Sequence, residues 1–388
     1  MKMANMDDYF DVVIVGTGAA GLYCALNLPA RYRILLLTKQ KADESDSFLC
    51  AGRHLYAAWR GRLPPLFLID TMRAGHYENN PATVDLMIRS SNSIIRDLVR
   101  RGVRFARDDH GALRFTREGA HSRPRILFHE DITGHEITQT LLNEVLRCEN
   151  IELREHTTLL DFFADASACG GVIAAGPDGE PRAIGAGAVV LACGGIGGLY
   201  KNSTNFPHIT GDAIAMALRH GVACEHLDYI QIHPTTLYSN RKGRRFLISE
   251  SVRGEGALLL DKNGNRFTNE LQPRDVVSAA IRAQMEKDGT DHVWEDMRPI
   301  GEAAIREHFP NILERCEEEG YDPIHEPIPV VPAQHYFSGR HHGGPEQPHS
   351  TAPAVCLRRD LLQRCAWTQS AGQQFPAGIF GLCTARGR

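Results

Sequence analysis

The stretch YFDVVIVGTGAAGLYCALNL, residues 9–28, decides the fold. A short apolar run leads directly into three glycines spaced Gly16-x-Gly18-x-x-Gly21, and residues suited to a helix follow. This order of strand, glycine turn and helix is the context in which the spacing indicates a dinucleotide-binding site. Gly16 permits the tight turn, Gly18 lets the backbone approach a pyrophosphate, and Gly21 lets helix and strand pack closely. The stretch therefore predicts an α/β nucleotide-binding domain.

The surroundings of this loop indicate which nucleotide it binds. The helix supplies N–H groups and the positive end of its dipole to phosphates, and Thr17, Ala19 and Ala20 complete the predicted cofactor loop. The next apolar run, RYRILLLTK, ends at Lys39, where a generic NAD site has an acidic residue. This departure disfavours ordinary NAD binding and leaves FAD open.

A second apolar strand also delivers glycines. AGAVVLACGGIGGLY, residues 186–200, contains Gly194 and Gly195, and such a second strand is typical of FAD folds. The helix after it is predicted to start at Gly211 and Asp212, and local rules favour Asp212 as a helix N-cap and no more.

The composition is that of an ordinary globular protein. The 388 residues are 43% hydrophobic and 23% charged with a net charge of −4, so neither nucleic acid nor an anionic membrane is an expected partner. No apolar run reaches the roughly 18 residues of a membrane span, and the chain shows no signal peptide. Ten scattered cysteines, without a C-x-x-C pair, predict reduced thiols in a cytoplasmic protein and no metal site.

Ionisable residues occur at unusual places in four later segments. Taken singly, each has a structural explanation. His233 is a hydrogen-bonded histidine at a strand end, Arg253 and Glu255 form a local ion pair, and Arg274 opens a helix. These explanations become improbable only when the segments are considered together.

Eight motifs follow one another between about residues 10 and 338, and as a set they are highly specific. They are VGTGAAGL, TREGAHS, LACGG, TGDAIAMA, HPTTLY, ISESVRGEGALL, PRDVVSAAI and VVPAQHYF. In this order they resemble the succinate dehydrogenase/fumarate reductase flavoprotein superfamily, and within it the L-aspartate oxidase family.

The resemblance implies a Rossmann-like α/β domain that binds FAD, formed by residues 1–226 and continued by 336–388. An α+β capping domain, residues 227–335, interrupts it. The histidine that tethers the flavin in the dehydrogenases would fall at Asp46, so the FAD is expected to be non-covalent. The further cofactor-binding residues implied are Lys39, Asp46, Ser47, Asp161, Gly194, Gly195 and Asp212.

The activity implied by the resemblance is oxidation of L-aspartate to iminoaspartate, with electrons passed to O2 or fumarate, as the first step of de novo NAD biosynthesis. The imine would pass to quinolinate synthase. The implied roles are carboxylate binding by His233, His335 and Ser249, acid/base chemistry by Arg274 and contact with the substrate amino group by Glu118, with Arg253 and Glu255 in the same set. Cationic and N–H donors are what a dicarboxylate requires. A fumarate reductase or succinate dehydrogenase-type flavoprotein, or an inactive truncated remnant, are the alternatives.

Two windows, about 51–67 and 339–388, do not resemble the family. With plausible codons, a shifted reading frame turns both windows into family-like segments, which motivates the hypothesis of two frameshifts. As written, the chain lacks family segments that contact the flavin, so we expect a poorly ordered tail, weak FAD retention and little turnover. Resequencing the gene tests this, since an uninterrupted frame through both windows contradicts the hypothesis.

Overall fold

The computed structural model describes residues 8–49, 54–55, 65–116, 122–130, 132–164, 169–222, 224–338, 340–341 and 355–358. Most of both windows that depart from the family lies outside these ranges. The frameshift hypothesis and the expected disorder of the tail therefore stay predictions. Within the described ranges, no helix combines the length and the apolar character that crossing a membrane demands.

The first part of the chain alternates strands and helices around a parallel sheet core. Its elements are β1 (Tyr9–Val15), α1 (Ala19–Asn27), β2 (Ile34–Leu37), β3 (His54–Leu55), α2 (Pro65–Ala74), α3 (Pro81–Arg100), β4 (Ile126–Leu127), α4 (Thr133–Val145), β5 (Ile151–Arg154), β6 (Thr158–Ala164), β7 (Cys169–Ala175), β8 (Pro181–Leu191), α5 (Asp212–Arg219) and β9 (Cys224–Glu225).

The second part forms a separate antiparallel sheet with its own helices. Its elements are β10 (Ile230–Leu237), α6 (Glu250–Gly254), β11 (Leu258–Leu260), α7 (Arg274–Asp288), β12 (Val293–Asp296), α8 (Glu302–His308), α9 (Pro310–Glu318) and β13 (Ile328–Phe337), followed by β14 (Arg340–His341) and β15 (Val355–Arg358).

The first sheet has the order β5-β2-β1-β8-β7-β6, with β15 paired to β8. Strands β5, β2, β1 and β8 run parallel, while β7 and β6 return antiparallel. All four residues of β2 are fully buried because helices cover both faces of the sheet, as parallel sheets require. Helices α1, α3 and α4 pack on one face and α5 packs on the other. This arrangement brings the carboxyl ends of β1, β2 and β8 to one edge.

The second sheet has the order β10-β13-β12-β11 and is antiparallel throughout. Residues of α6, α7, α8 and α9 share its apolar core, among them Val252, Ile281, Ile305 and Ile312. The prediction that His233 ends its strand is wrong, because β10 continues to Leu237. The register of β10 shifts between His233 and Thr236, an irregularity of the kind that re-aims side chains.

Strand β13 joins the two parts. Its Gln334 accepts the backbone N–H of Thr204 at 3.0 Å and donates its own to Asn202 at 2.9 Å. A Cβ on Gly195, just after β8, would press against Phe337 at the end of β13. The end of the cap strand is thereby held against the glycine-rich edge of the first sheet.

Candidate active site

The glycine loop has the geometry that its sequence predicts. Gly16 adopts φ +114°, and a Cβ at this position would overlap the carbonyl oxygen of Ala192. A Cβ on Gly21 would overlap the carbonyl oxygen of Gly16, so α1 packs directly on the turn. Backbone from β1, α1 and the segment after β8 therefore meets at distances that no side chain permits.

The start of α1 faces a cleft lined by small residues. Gly18 is its N-cap and contributes no capping side chain, while the N–H of Ala19 donates to Ser47 Oγ at 3.1 Å. Thr17 and Ala20 also line this cleft. A helix N-terminus with little side-chain bulk in front of it suits a diphosphate, so these residues fit the pyrophosphate of FAD.

Lys39 and Asp212 meet across the cleft. Lys39 Nζ donates to Asp212 Oδ2 at 2.8 Å, to Thr210 Oγ1 at 3.0 Å and to the carbonyl oxygen of His208 at 3.2 Å. Burial alone would raise the pKa of Asp212, but the bonds from Lys39 and Thr210 outweigh it and lower the pKa. The N-cap of α5 is Gly211, so the interpretation of Asp212 as an N-cap is wrong.

The segment after β2 contributes a buried carboxyl group to the same cleft. Asp46 Oδ1 accepts the backbone N–H of Phe206 at 2.9 Å. Burial raises the pKa of Asp46 to about 7, against the lowering effects of this hydrogen bond and of Arg244. The adjacent Ser45 Oγ is buried without a partner among the described residues.

The cleft continues from the glycine loop to the end of β13. Gly194 and Gly195 line its middle, and His335 and Tyr336 line its far end. Asp161, on β6, is not among its lining residues, and its carboxylate lies 2.8 Å from Nε2 of His220, which follows α5. One continuous cleft thus connects the nucleotide-binding loop with a histidine of the cap strand.

Two histidines stand edge to face at this far end. The ring centroids of His233 and His335 lie 5.2 Å apart. His335 Nδ1 lies 2.7 Å from Thr204 Oγ1, and His233 Nδ1 lies 3.2 Å from the nitrogen and 3.0 Å from the oxygen of Thr235. His233 is 1% exposed, and its Nε2 has no partner among the described residues. This nitrogen is therefore available to a ligand atom or to a water molecule that a ligand would displace.

Two arginines lie beside the histidines. Arg274, the first residue of α7, donates from Nε to Glu250 Oε2 and from Nη1 to Gln231 Oε1, both at 2.8 Å. Arg253 of α6 is 3% exposed and donates from Nη1 to the carbonyl oxygen of Glu270 at 2.6 Å. Its Nε and Nη2 have no partner within the described part of the chain.

The electrostatics of this group favour an anionic ligand. Burial, then Arg274, His335 and Arg253, hold the pKa of His233 well below its usual range. Burial and Arg274 do the same to His335. The imidazoles are therefore neutral at pH 7 while the guanidinium groups keep their charge. We call His233, His335, Arg253 and Arg274 the diacid cluster, because their donors suit carboxylates.

Comparison with known proteins agrees with both halves of the cleft. A family model described as an FAD binding domain matches residues 11–339. The L-aspartate oxidase of Clostridium perfringens is 44% identical over 331 residues, which cover 85% of this chain and 74% of that protein. The L-aspartate oxidase of Clostridium acetobutylicum is 44% identical over 330 residues, covering 85% and 76%. The chain belongs to the L-aspartate oxidase family.

Solved structures confirm the predicted fold class for this family member. E. coli quinol fumarate reductase superposes with a TM-score of 0.82 at 27% identity, covering 97% of this chain and 69% of that one. The predicted superfamily is therefore correct, and FAD is the cofactor of the fold.

Other site residues predicted for this member of the L-aspartate oxidase family flank α6 or fall outside the described ranges. Ser249 caps α6, its Oγ accepting the N–H of Ser251 at 3.3 Å. Glu255 lies 2.7 Å from His308 Nδ1, so its expected ion pair with Arg253 does not form. Glu118 falls in 117–121, outside the described residues.

The sequence-based prediction of the site did not include two polar residues that contact Arg274. Glu250 and Gln231 hold its guanidinium group from α6 and β10. Glu250 follows Ser249 within the motif ISESVRGEG, so its place beside a predicted site residue was the available signal. Gln231 lies two residues before His233 in β10, and the register of the strand also shifts between Gln231 and Ile232.

Proposed function

We propose that this protein oxidises L-aspartate to iminoaspartate in the cytoplasm, as the first step of de novo NAD biosynthesis. Electrons pass to O2 or fumarate, and the imine goes to quinolinate synthase. The observation that carries the proposal is the diacid cluster: His335 lines the end of the cleft, His233 lies edge to face against it, and buried nitrogens of His233 and Arg253 have no partner among the described residues. The L-aspartate oxidases at 44% identity support it.

FAD is expected to lie along the cleft from Gly16 to His335. Gly16, Gly18 and the start of α1 would hold its pyrophosphate, the Lys39–Asp212 pair its adenosine end, and Gly194 and Gly195 its middle. When bound, FAD supplies the acceptor for the hydride that leaves the substrate. The rest of the chemistry consists of binding, orientation and proton handling by the chain.

The diacid cluster binds and orients the substrate. Neutral His233 and His335 donate hydrogen bonds to one carboxylate, and Arg253 and Arg274 provide positive charge for the pair of carboxylates. Burial strengthens each of these interactions, because few water molecules compete. We take residues 227–335 as the cap that closes over this cluster.

Glu250 and Arg274 are the proposed proton-handling pair. A guanidinium group stays protonated in proteins, so Arg274 is a poor base by itself. Glu250 accepts a hydrogen bond from Arg274 Nε at 2.8 Å. It therefore fixes the direction of the guanidinium group and offers a carboxylate that can take up a proton.

Fumarate reduction or succinate oxidation is the second candidate. Within the described residues, the carboxylate that contacts the cluster, Glu250, is bonded to Arg274, and Glu118 lies outside these residues. A cluster of donors without a free acidic group suits an unaminated diacid as well as aspartate. The superposition on a fumarate reductase supports this alternative.

Anaerobic reduction of the FAD-supplemented protein distinguishes the candidates. Bleaching of the flavin absorbance by aspartate, without bleaching by succinate, supports the oxidase. Bleaching by succinate alone supports the dehydrogenase. Protein that takes up no flavin supports the inactive remnant and contradicts the proposal.

A further inference from the structure

Glu295 places a carboxyl group inside the apolar core of the cap. It lies in β12, paired with Leu259 of β11 and Ile328 of β13, and all three residues are fully buried. Neither Glu295 oxygen has a hydrogen-bond partner among the described residues. Burial of an unpartnered carboxyl group costs free energy, so an apolar residue would stabilise this position better.

Arg253 lies in the same part of the cap: its Nη1 donates to the carbonyl oxygen of Glu270, whose Oε1 accepts the N–H of Leu259, the residue paired with Glu295. The Nε and Nη2 atoms of Arg253 are buried and unbonded within the described ranges. The positive charge of Arg253 acts to lower the pKa of Glu295, and the negative charge of Glu295 acts to raise the pKa of Arg253. Two buried groups of opposite charge, each with unused hydrogen-bonding atoms, therefore share one region of the cap.

The charge of Arg253 also affects another member of the diacid cluster. Arg253 and Arg274 both lower the pKa of His233, and Glu250 of the same helix α6 binds Arg274. Glu295 is thus connected to the predicted ligand site through one intervening residue.

We propose that Glu295 is a positioning residue for Arg253 that adjusts how strongly the diacid cluster holds its ligand. When Glu295 is protonated, the positive charge of Arg253 is available to the ligand carboxylate. When Glu295 is ionised, it draws the guanidinium group towards β12 and cancels part of its field. The inference rests on the proposed diacid function and adds a control on affinity to it.

The charged and titratable groups around Glu295 define the pH range of this effect. Arg253 faces it from α6, Glu270, which is bonded to Arg266, from the segment before α7, and Cys316 from α9. Burial raises the pKa of Glu295 to about 8, with Arg253 opposing the rise and Glu270 adding to it. Glu295 is therefore mostly neutral at pH 7 and mostly ionised at pH 9.

Succinate binding to the FAD-supplemented full chain tests the inference. Succinate has two carboxylates and no amino group, so its own charge does not change above pH 7. We expect its affinity for the wild type, measured by calorimetry, to fall by about tenfold between pH 7 and pH 9. We expect Glu295→Gln to reduce this change to less than about threefold, with its affinity at pH 7 near that of the wild type.

The control is Glu302→Gln, an exposed substitution on α8 of the same cap, which should keep the wild-type pH profile. An unchanged profile in Glu295→Gln overturns the inference, and so does an equal loss of affinity at every pH, which indicates a merely structural role. If the variant does not fold, Glu295→Leu replaces it.

Infrared titration of the wild type is an independent test. A buried protonated carboxyl band that persists at pH 7 and disappears by pH 9 supports the inference, and its absence contradicts it.

Failure of the proposed function gives a different result. Wild-type protein that binds succinate with a pH-independent affinity contradicts only the role of Glu295. Wild-type protein that binds no succinate at any pH contradicts the diacid cluster itself.

Discussion

The nucleotide end of the cleft and the diacid cluster are built in opposite ways. At the nucleotide end, residues 15–21 are consecutive in the chain and act through backbone and the lack of side chains. The diacid cluster takes four charged or polar side chains from β10, α6, α7 and β13, which are separated by up to about a hundred residues. A motif of consecutive residues can be recognised in the sequence, because its members determine the local backbone. A cluster of side chains from four distant elements forms only when the chain folds.

The two ends also differ in the forces they use. The glycine loop offers helix dipole and close backbone approach with few formal charges. The diacid cluster concentrates positive charge and neutral imidazoles where water is scarce. Substitutions at the nucleotide end should therefore weaken FAD binding, whereas substitutions in the diacid cluster should weaken substrate binding or turnover and leave FAD binding unchanged.

Arg274→Gln gives the largest expected effect. It removes a charged donor at the diacid cluster, together with the hydrogen bond from Nε to Glu250. The rate of flavin reduction by aspartate, measured anaerobically by stopped-flow absorbance, should fall by about a thousandfold. Flavin content should stay at the wild-type level, and a variant that loses its FAD would contradict the separation of the two ends.

Gly16→Ala should affect the opposite end. The added Cβ overlaps Ala192 and occupies a residue at φ +114°. FAD affinity, followed by quenching of flavin fluorescence, should weaken by about a hundredfold. Gly179→Ala is the matched control, because Gly179 also has positive φ but no neighbour within 4 Å. Equal weakening in both variants would mean that backbone strain alone, rather than crowding at the cleft, is responsible.

His233→Gln should weaken the binding of substrate more than it slows the chemistry. It replaces an imidazole whose buried Nε2 has no partner among the described residues and is proposed to bond the substrate. KM for aspartate should rise by about 10- to 100-fold, the value of one hydrogen bond to a charged group. Steady-state kinetics measure this, and a fall in kcat with an unchanged KM would assign His233 to the chemistry instead.

Glu295→Gln should stabilise the protein in a pH-dependent way. The pKa of Glu295 is raised from 4.5 to about 8 on folding, so its contribution to stability is complete below about pH 4.5 and is lost as the pH rises through about 8. The variant should therefore gain about 4 to 5 kcal/mol over the wild type at pH 8.5 and less than about 1 kcal/mol at pH 5. Urea unfolding followed by tryptophan fluorescence measures both values. A larger gain at pH 5 than at pH 8.5 would mean that folding lowers, rather than raises, the pKa of Glu295.

Glu255→Gln gives the smallest expected effect, although the sequence predicts Glu255 as a site residue. Its carboxylate pairs with the partly exposed His308, and exposed pairs contribute little. Turnover and KM should stay within about twofold of the wild type. A loss of tenfold or more in steady-state turnover would restore the sequence-based assignment.

The sequence predicts the nucleotide end well because its determinants are local. Gly16 and Gly21 show the crowding that their spacing indicates, and Gly16 also adopts the positive φ of a tight turn. Asp212 is different: local rules favour a cap, but Lys39, distant in sequence, takes its carboxylate. The partner of a charged side chain is decided by packing, so a local rule fails where a tertiary contact is stronger.

By itself, the sequence determined the α/β class, the FAD loop and the family, because glycine spacing and motif order survive without knowledge of contacts. Only the tertiary structure decided that Glu250 meets Arg274, that Glu255 meets His308 rather than Arg253, and that Glu295 has no hydrogen-bond partner among the described residues. The physical reason is that charge–charge distance and burial depend on how β10, β12, α6 and α7 pack, and neither quantity is encoded in residue spacing along the chain.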